Sequence, residues 1–451
     1  GQMPNLLRCD SFPRVRGRDP TNSALKSIGF NIWCETMENT EPRKLTEHII
    51  SHRDIENDAL QVLSRLHDYG FYAYLVGGSV RDLLLERKPK DFDVVTSAQP
   101  DEIRRLFRRC RLVGRRFRLA HIIGRGGKVI ETATFRAKPD DDSESLLITD
   151  DNRFGTPQSD AYRRDFTVNA LFYDSARREV LDYVGGLEDL DARILRTIGE
   201  PVTRFREDPV RILRAIKFAA RLEFDIEHDT RKAITSERVE LAKAAIPRIY
   251  EELVRMLGGG AAQRSLQLMN ELRVLEVLVP EVAAVCSLEP EPEDAVIHRL
   301  MHCLDDRFHS GQEKIPNGLI LASLFWPVYQ TIAAELPRAP RSDEQRTLVA
   351  ELMRPTAIRL SVPRRSMEMA ISTIESHLRF QRIQGRRSGR SGFARTPTYP
   401  MAAAFAAMRK EVGDMSTNES TAWDQQLEEF PPPPLEQPKP RRRRRGPRRR
   451  R

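Results

Sequence analysis

The chain has 451 residues, 40% hydrophobic and 31% charged, enough apolar side chain for a large core and roughly two to four structural units. No apolar run reaches membrane-spanning length, Met401–Met408 being far too short, and Cys9, Cys34, Cys110, Cys286 and Cys303 are scattered with no C-x-x-C pair or secretory signal. A reduced, cytoplasmic protein without a membrane partner is expected. The net charge is +9, yet one lysine and nine arginines sit between Lys439 and Arg451, so the rest of the chain carries −1 and its electrostatics must be local.

In chain order, residues 1–45 are rich in Pro, Asn, Ser and Arg without sustained periodicity and read as a disordered leader. The stretch before Met37 is left out of fold reasoning. Asp54 is placed as the N-cap of a helix whose apolar face is Ile55, Ala59, Val62, Leu63 and Leu66, and residues 71–76 (FYAYLV) read as a strand. Pro100 opens a helix, and RLAHII and KVIETATF form two strands joined by a hairpin turn at Gly124–Gly127. Helices and strands at such short spacing predict a small α/β domain on a mixed sheet, with residues 46–195 as its span. Residues 138–160 form an acid-rich loop, long enough to be functional or disordered. After Asp208 strand signals disappear, predicting a helical neck over 196–257 and a helical body over 258–415, with Gly258–Gly260 as a break. From Ser416 an extended, disordered tail is expected, stiffened by Pro431–Pro434 and ending in the arginine tract.

The organising stretch is Leu75–Asp93, LVGGSVRDLLLERKPKDFD. Gly77 and Gly78 let the backbone pass close to an anion, and a helix starting there aims N–H groups at phosphate. Asp91 and Asp93, two apart on a strand, project to one face while Phe92 goes to the other, and two hard oxygen ligands on one face suit Mg²⁺. Alone, a Gly-Gly pair is ordinarily a tight turn and Asp-x-Asp a solvated pair. Together, in this order, they resemble the first motif of the class II nucleotidyltransferases, the bacterial poly(A) polymerases and CCA-adding tRNA nucleotidyltransferases.

Three further stretches carry the resemblance: RRDFTVN at Arg163–Asn169, YVGGLEDL at Tyr183–Leu190 and REDPVRILRA at Arg206–Ala215. The chain looks like a bacterial poly(A) polymerase. The resemblance implies an α/β nucleotidyltransferase head, a helical neck and body, and attack of an RNA 3′-hydroxyl on the α-phosphate of ATP with loss of pyrophosphate, in the service of RNA turnover. It implies two Mg²⁺ ions held by Asp91 and Asp93, with Asp165 also catalytic. Glu131 is a further metal-ligand candidate from its strand, its plain alternative being a structural partner for an arginine. Gly77, Gly78, Arg81, Asp82, Arg164, Asp208, Arg211 and Arg214 are the nucleotide-binding set. RNA 3′ ends, ATP and RNA-degradation proteins are the implied partners.

In the third stretch, Asp208 and Pro209 also read as an N-cap and first helical residue. On the functional reading Asp208 and Arg211 meet the base edge. A carboxylate accepts and a guanidinium donates, so the pair admits adenine or cytosine, which set an amino donor beside a ring acceptor, and rejects uracil and guanine. That logic does not separate poly(A) from CCA synthesis. LVGRRFRLAH, Leu112–His121, resembles the poly(A) polymerases, and the arginine tract suits an enzyme gripping many RNAs through phosphate. A CCA-adding enzyme and a catalytically inactive RNA-binding protein are the alternatives; Asp91, Asp93, Asp165, Asp208 and Arg211 being intact argues against the second. His298, His302 and Asp305 on one helical face, His228–Asp229, and Trp326 read as ordinary packing and surface residues.

Overall fold

The computed structural model describes residues 41–114, 118–125, 127–137, 154–288, 295–311, 314–338, 340–383 and 385–435. Its sheet has strands β1 (Arg43–Leu45), β2 (Ala73–Val76), β3 (Asp93–Thr96), β4 (Cys110–Val113), β5 (Leu119–Ile123), β6 (Val129–Thr134), β7 (Phe172–Asp174) and β8 (Glu179–Asp182). Their order is β1-β8-β7-β2-β3-β6-β5-β4. β3 runs parallel to β6, while β2–β3, β2–β7, β5–β6, β4–β5 and β7–β8 are antiparallel, which makes the sheet mixed as expected. Alternation divides β3 between two faces: Val94 joins the large core with Ile130 of β6, and Val95 joins a smaller cluster with Tyr74, Phe135 and Phe172.

Helix α1 (Asn57–Asp68) and helices α2 (Gly78–Leu84) and α3 (Pro100–Leu106) follow the sequence pattern, α1 burying Ala59, Val62, Leu63 and Leu66. Asp54 does not cap α1. It ends a 3₁₀ turn at His52–Asp54, and the buried, extended Ile55 then carries the chain to Glu56, where α1 starts. An apolar residue that must reach the core before the helix begins delays the start by two residues. The end of the acid-rich loop also differs from expectation, forming helix α4 (Pro157–Tyr162) capped by Thr156; residues 138–153 lie outside the described residues.

Beyond α5 (Gly186–Asp191) come α6 (Pro201–Glu207), α7 (Val210–Leu222), α8 (His228–Glu237) and α9 (Ile246–Leu257), and helices continue to Glu429. One short exception interrupts them: Asp225–Ile226 pairs in parallel with Ile194–Leu195. Gly260 turns the chain with φ 84°, against the ring of Phe308. No helix among the described residues is long and apolar enough to cross a membrane. Trp326 is core, donating its indole N–H to Asp414 at 2.7 Å. Asp305, on the helix Val296–His309, accepts from Ala262 N (2.6 Å) and Gln263 N (3.0 Å) at the start of the earlier helix Ala262–Glu271, and His302 pairs with Asp306, so the histidine-bearing helix makes structural contacts.

The expected tail from Ser416 is instead a helix, Thr417–Glu429, with Ser416 accepting from Glu419 N. Composition hid it because its exposed face is polar throughout. Trp423 and Gln426, three apart, are its buried residues, and Trp423 lies 4.1 Å from the Phe380 ring and stacks on His377. The arginine tract lies outside the described residues.

Candidate active site

The end of β2 meets the start of β3. Val76 is the register partner of Asp93, and Asp93 in turn faces Glu131 across the parallel pair. Gly77 leaves β2 at φ 74° and ψ −133°, a conformation that a side chain disfavours. A methyl there would lie 3.4 Å from Nη1 of Arg164. The turn therefore has a guanidinium beside it. Because α2 spans only seven residues, the positive field at the turn rests on Arg164 more than on a helix dipole.

Asp91 and Asp93 are both exposed and flank the buried Phe92, so their carboxylates share a face even though β3 starts at Asp93. Protein packed around the Asp93 carboxyl desolvates it although part of the side chain meets solvent. That desolvation, then the Glu131 charge, push it up to about 6, with Arg164 opposing and Asp91 adding to the rise. Among the described residues no arginine pairs with Glu131; His121 Nε2 lies 3.6 Å from it across β5–β6. Asp91, Asp93 and Glu131 are hard oxygen donors whose charges meet at Asp93, the donor chemistry that a divalent cation takes. Among the described residues no three acidic, histidine or cysteine side chains come together as a group that could by itself hold a metal ion. Mg²⁺ does not need one, since it keeps waters and takes substrate phosphates in place of protein ligands.

Arg164 is held by an acid that the sequence reading left in the loop. Asp160, fully buried, accepts from Arg164 Nε (3.1 Å) and Nη2 (2.8 Å) through one oxygen and from Arg163 Nε (2.8 Å) through the other. Burial alone would raise its pKa, but Arg164 and Arg163 bring it below the usual carboxylate range. Arg204, also buried, donates to the carbonyls of Arg163 (2.9 Å) and Arg164 (2.6 Å) and fixes the backbone there. The Asp160–Arg164 spacing of four, with Asp160 in the last turn of α4 and Arg164 just past its end, was the signal available for this pair.

Asp165 points elsewhere. Its Oδ2 accepts from Arg214 Nε at 2.8 Å and Nη2 at 2.5 Å, and its Oδ1 from Asn169 (3.2 Å) and the Phe166 N–H (2.9 Å). Against desolvation, which would raise it, these donors with Arg214 foremost hold its pKa at about 2. Arg81 and Asp82 are buried, Arg81 Nε donating to Asp82 at 2.9 Å and Nη1 to Asn169. Asn169, not singled out from sequence, thus joins α2 to Asp165 and through it to α7. Phe218 of α7 packs edge-on to Phe166 and lies under the guanidinium groups of Arg81 (5.3 Å) and Arg214 (5.2 Å).

Asp208 and Arg211 stand beyond that seam. Asp208 is extended, its side chain caps nothing, and its carboxylate takes both Nη atoms of Arg248, at 3.1 and 2.8 Å. The backbone there is that of an N-cap, with Asp208 extended, Pro209 helical and the Asp208 carbonyl accepting from Arg211 N at 3.0 Å, but the side-chain cap is not made because the carboxylate is drawn to Arg248 of α9. Arg211 is buried and donates to the Arg204 carbonyl (3.0 Å) and Glu207 (3.1 Å). The YVGGLEDL stretch packs on the Arg163–Asn169 stretch: a methyl on Gly186 would lie 2.3 Å from the Thr167 carbonyl oxygen, and Thr167 Oγ1 donates to Asp189 at 2.7 Å. Of the Leu112–His121 segment, residues 115–117 lie outside the described residues.

A family model described as the poly A polymerase head domain matches residues 73–196, and one described as the probable RNA and SrmB-binding site of polymerase A matches 223–286. Poly(A) polymerase I of Escherichia coli O6:H1 is 36% identical over 378 residues, covering 81% of each chain. The chain belongs to the bacterial poly(A) polymerase family. The chain is also similar to the CCA-adding enzyme of Bacillus velezensis, 38% identical over 221 residues, 49% of this chain and 55% of that one. Its fold matches that of the Bacillus stearothermophilus CCA-adding enzyme in complex with CTP, with a TM-score of 0.58 at 24% identity over 82% of each chain. A member of this polymerase family is a nucleotidyltransferase, and the α/β head followed by helices is the fold that the sequence pattern implied.

Proposed function

We propose that the chain adds AMP from ATP to RNA 3′ ends without a template. The 3′-hydroxyl gives up its proton to solvent as its oxygen forms a bond to the α-phosphorus, the bond from that phosphorus to the oxygen bridging to the β-phosphate breaks, and pyrophosphate leaves with the electron pair. The observation that carries this reading is the register that sets Asp93 opposite Glu131 and next to the end of β2, where the Gly77 turn meets the Arg164 guanidinium. The Gly77–Gly78 backbone and Arg164 bind the triphosphate, and Asp160 orients Arg164 so that Nη1 faces the turn. Asp91 and Asp93, with Glu131 as a third donor, would hold divalent ions, two Mg²⁺ in this reading. When bound, such ions supply charge neutralisation at the phosphates and acidify the attacking hydroxyl.

Asp165 acts by positioning. It anchors Arg214, and Arg214 and Arg81 bracket Phe218, so the head holds α7 at a set angle to the phosphate turn. Asp208 and Arg211 are the base-reading pair. Arg211 is pre-oriented by Glu207 and the Arg204 carbonyl, and Asp208 exchanges its exposed partner Arg248 for the base amino group. Residues 223–286 supply RNA contact, in keeping with the second family model. RNA turnover, with RNA-degradation proteins as partners, is the cellular context of this reading.

CCA addition to tRNA is the second reading, favoured by the 38% identity to a CCA-adding enzyme in the shared region. The match to poly(A) polymerase I reaches over much more of the chain, and the appended arginine tract serves an enzyme that meets many RNAs. Incubation with Mg²⁺, labelled RNA and each nucleoside triphosphate separately decides between them. Long ladders with ATP alone support poly(A) synthesis. Short additions with CTP and ATP on truncated tRNA support CCA synthesis, and no addition supports an inactive RNA binder.

A further inference from the structure

The face of the sheet opposite the carboxylates carries a second basic site. On β3 and β6, Val94 and Ile130 turn into the core beneath α1 and α3, whereas Asp93 and Glu131, one residue away on each strand, lie on the other side. There α1, the end of α3 and the β5–β6 turn enclose a concavity of about 840 Å³. Arg65, Arg105, Arg108, Arg109 and Arg125 line it, against two acids, Asp58 and Asp68. All five arginines are exposed. Arg109 is fixed by donating to the Gly124 carbonyl at 3.2 Å, while Arg105, Arg108 and Arg125 form no hydrogen bond or ion pair among the described residues.

Two further features narrow the partner. The floor is apolar, made by Val62, Ile122 and Ile130. At the mouth, the Arg65 guanidinium lies 5.7 Å from the Phe107 ring and 6.0 Å from the Tyr69 ring, and Tyr69 is 60% exposed. Unpaired arginine forks match phosphate oxygens, and an aromatic–arginine ladder offers flat faces on which unpaired bases stack. An acidic protein would answer the charge but makes no use of the ladder.

We propose that this face binds single-stranded RNA upstream of the reacting 3′ end, with Arg105, Arg108 and Arg125 on phosphates and a base stacked on Tyr69, Arg65 and Phe107. The proposal rests on the reading of the chain as an enzyme of RNA 3′ ends. Since the site is on the reverse of the sheet from Asp93, it does not hold the reacting end. Its ligand is the stretch of RNA that has passed around the sheet edge.

The test uses the full chain and the triple variant Arg105→Ser/Arg108→Ser/Arg125→Ser, with RNAs of about 30 and about six nucleotides, the first longer than a single-strand site of roughly 4–16 and the second too short to fill both the active site and a site behind the sheet. Each single-strand phosphate contact contributes about 0.7 to the slope of log affinity against log salt, so the variant should have a slope shallower by about 2 on the long RNA. Its KM for the long RNA should rise several-fold, with kcat and the short-RNA KM unchanged. Tyr69→Ala should weaken long-RNA binding without changing the slope. Photocrosslinking of thiouridine-containing RNA to the unaltered protein should label peptides holding Tyr69 or Phe107, a result independent of any variant's folding. An unchanged slope with no such crosslink overturns the proposal and leaves an acidic protein as the partner. If the unaltered protein adds no nucleotide to either RNA, the functional reading fails, while the binding and crosslinking results still decide this surface.

Discussion

The Asp93 carboxyl stands at about 6, raised first by desolvation and then by Glu131. A raised acid pKa means that the folded chain holds the proton more tightly than the unfolded one. Its contribution to stability is thus favourable below the unfolded value of 3.8 and is lost as pH rises through about 6. A divalent cation reverses that trend by answering the charge. In metal-free buffer Asp93→Asn should therefore melt above the parent at pH 7 and draw level with it near pH 4. Mg²⁺ should stabilise the parent at pH 7 and leave the variant unmoved, and the variant should lose AMP addition. Equal Mg²⁺ responses in scanning fluorimetry would remove Asp93 from the metal site. Asp208 offers a different contrast, because its visible partner is the exposed Arg248 rather than a helix end. Asp208→Ala should change stability by less than about 1 kcal/mol, and incorporation of single nucleotides should lose its preference for ATP over GTP and UTP. Retained preference would assign Asp208 to the α7–α9 contact alone.

At the scale of elements, the glycine turn and the last helix show opposite dependences on side chains. Gly77 has φ 74°, and Gly77→Ala should cost about 1–3 kcal/mol and depress ATP binding by pressing on Arg164. Gly78 is helical, and a methyl there meets Arg81 Nη2 at an ordinary 3.5 Å, so Gly78→Ala should fold with near-parent stability. Urea midpoints of the two variants make the comparison. In the helix Thr417–Glu429, Trp423 is 1% exposed and packs on Phe380, Phe393 and His377. Trp423→Ala should lower stability by about 3–5 kcal/mol, with denaturant unfolding as the measure. A loss below about 1 kcal/mol would mean that this helix is only lightly docked.

Across the whole molecule, polar clusters fasten the pieces that the apolar core brings together. Asp165, Arg214, Asn169 and Arg81 join head to α7, and His377, Arg409, Glu419, Asp414 and Trp326 join the last helices to the body. His377 is fully buried, and desolvation, with the Arg409 charge adding, takes it down to about 4. Glu419 is held at about 2 against desolvation by the His377 hydrogen bond and Arg409. For His377 the fold favours the neutral ring, so its contribution is complete above the unfolded value of 6.5 and is lost as pH falls through about 4. Glu419 acts in the same direction lower down, between 4.5 and about 2. The parent should thus lose stability from pH 7 to pH 5 more steeply than His377→Gln, as read from urea midpoints at each pH. Parallel slopes would show that His377 takes up no proton on unfolding in that range.

The local chemistry of this protein was legible in the order of its residues. Gly77–Gly78 ahead of Asp91 and Asp93, the hairpin at Gly124–Gly127, the mixed sheet and the long helical half follow from spacing, turn residues and periodicity, which act over a few neighbours. The parallel pairing that sets Glu131 beside Asp93 was inferable as strand adjacency, but its register came from packing. Partners far apart in the chain were decided by tertiary structure. Arg214 for Asp165, Arg248 for Asp208, and Asn169 for Arg81 are separated by 49, 40 and 88 residues. The helix at Thr417 was hidden for the same reason, since a single tryptophan in a polar stretch signals nothing until Phe380 and His377 are there to cover it. Desolvation is what turns such placements into energy and pKa shifts, and it exists only once the chain has closed around them.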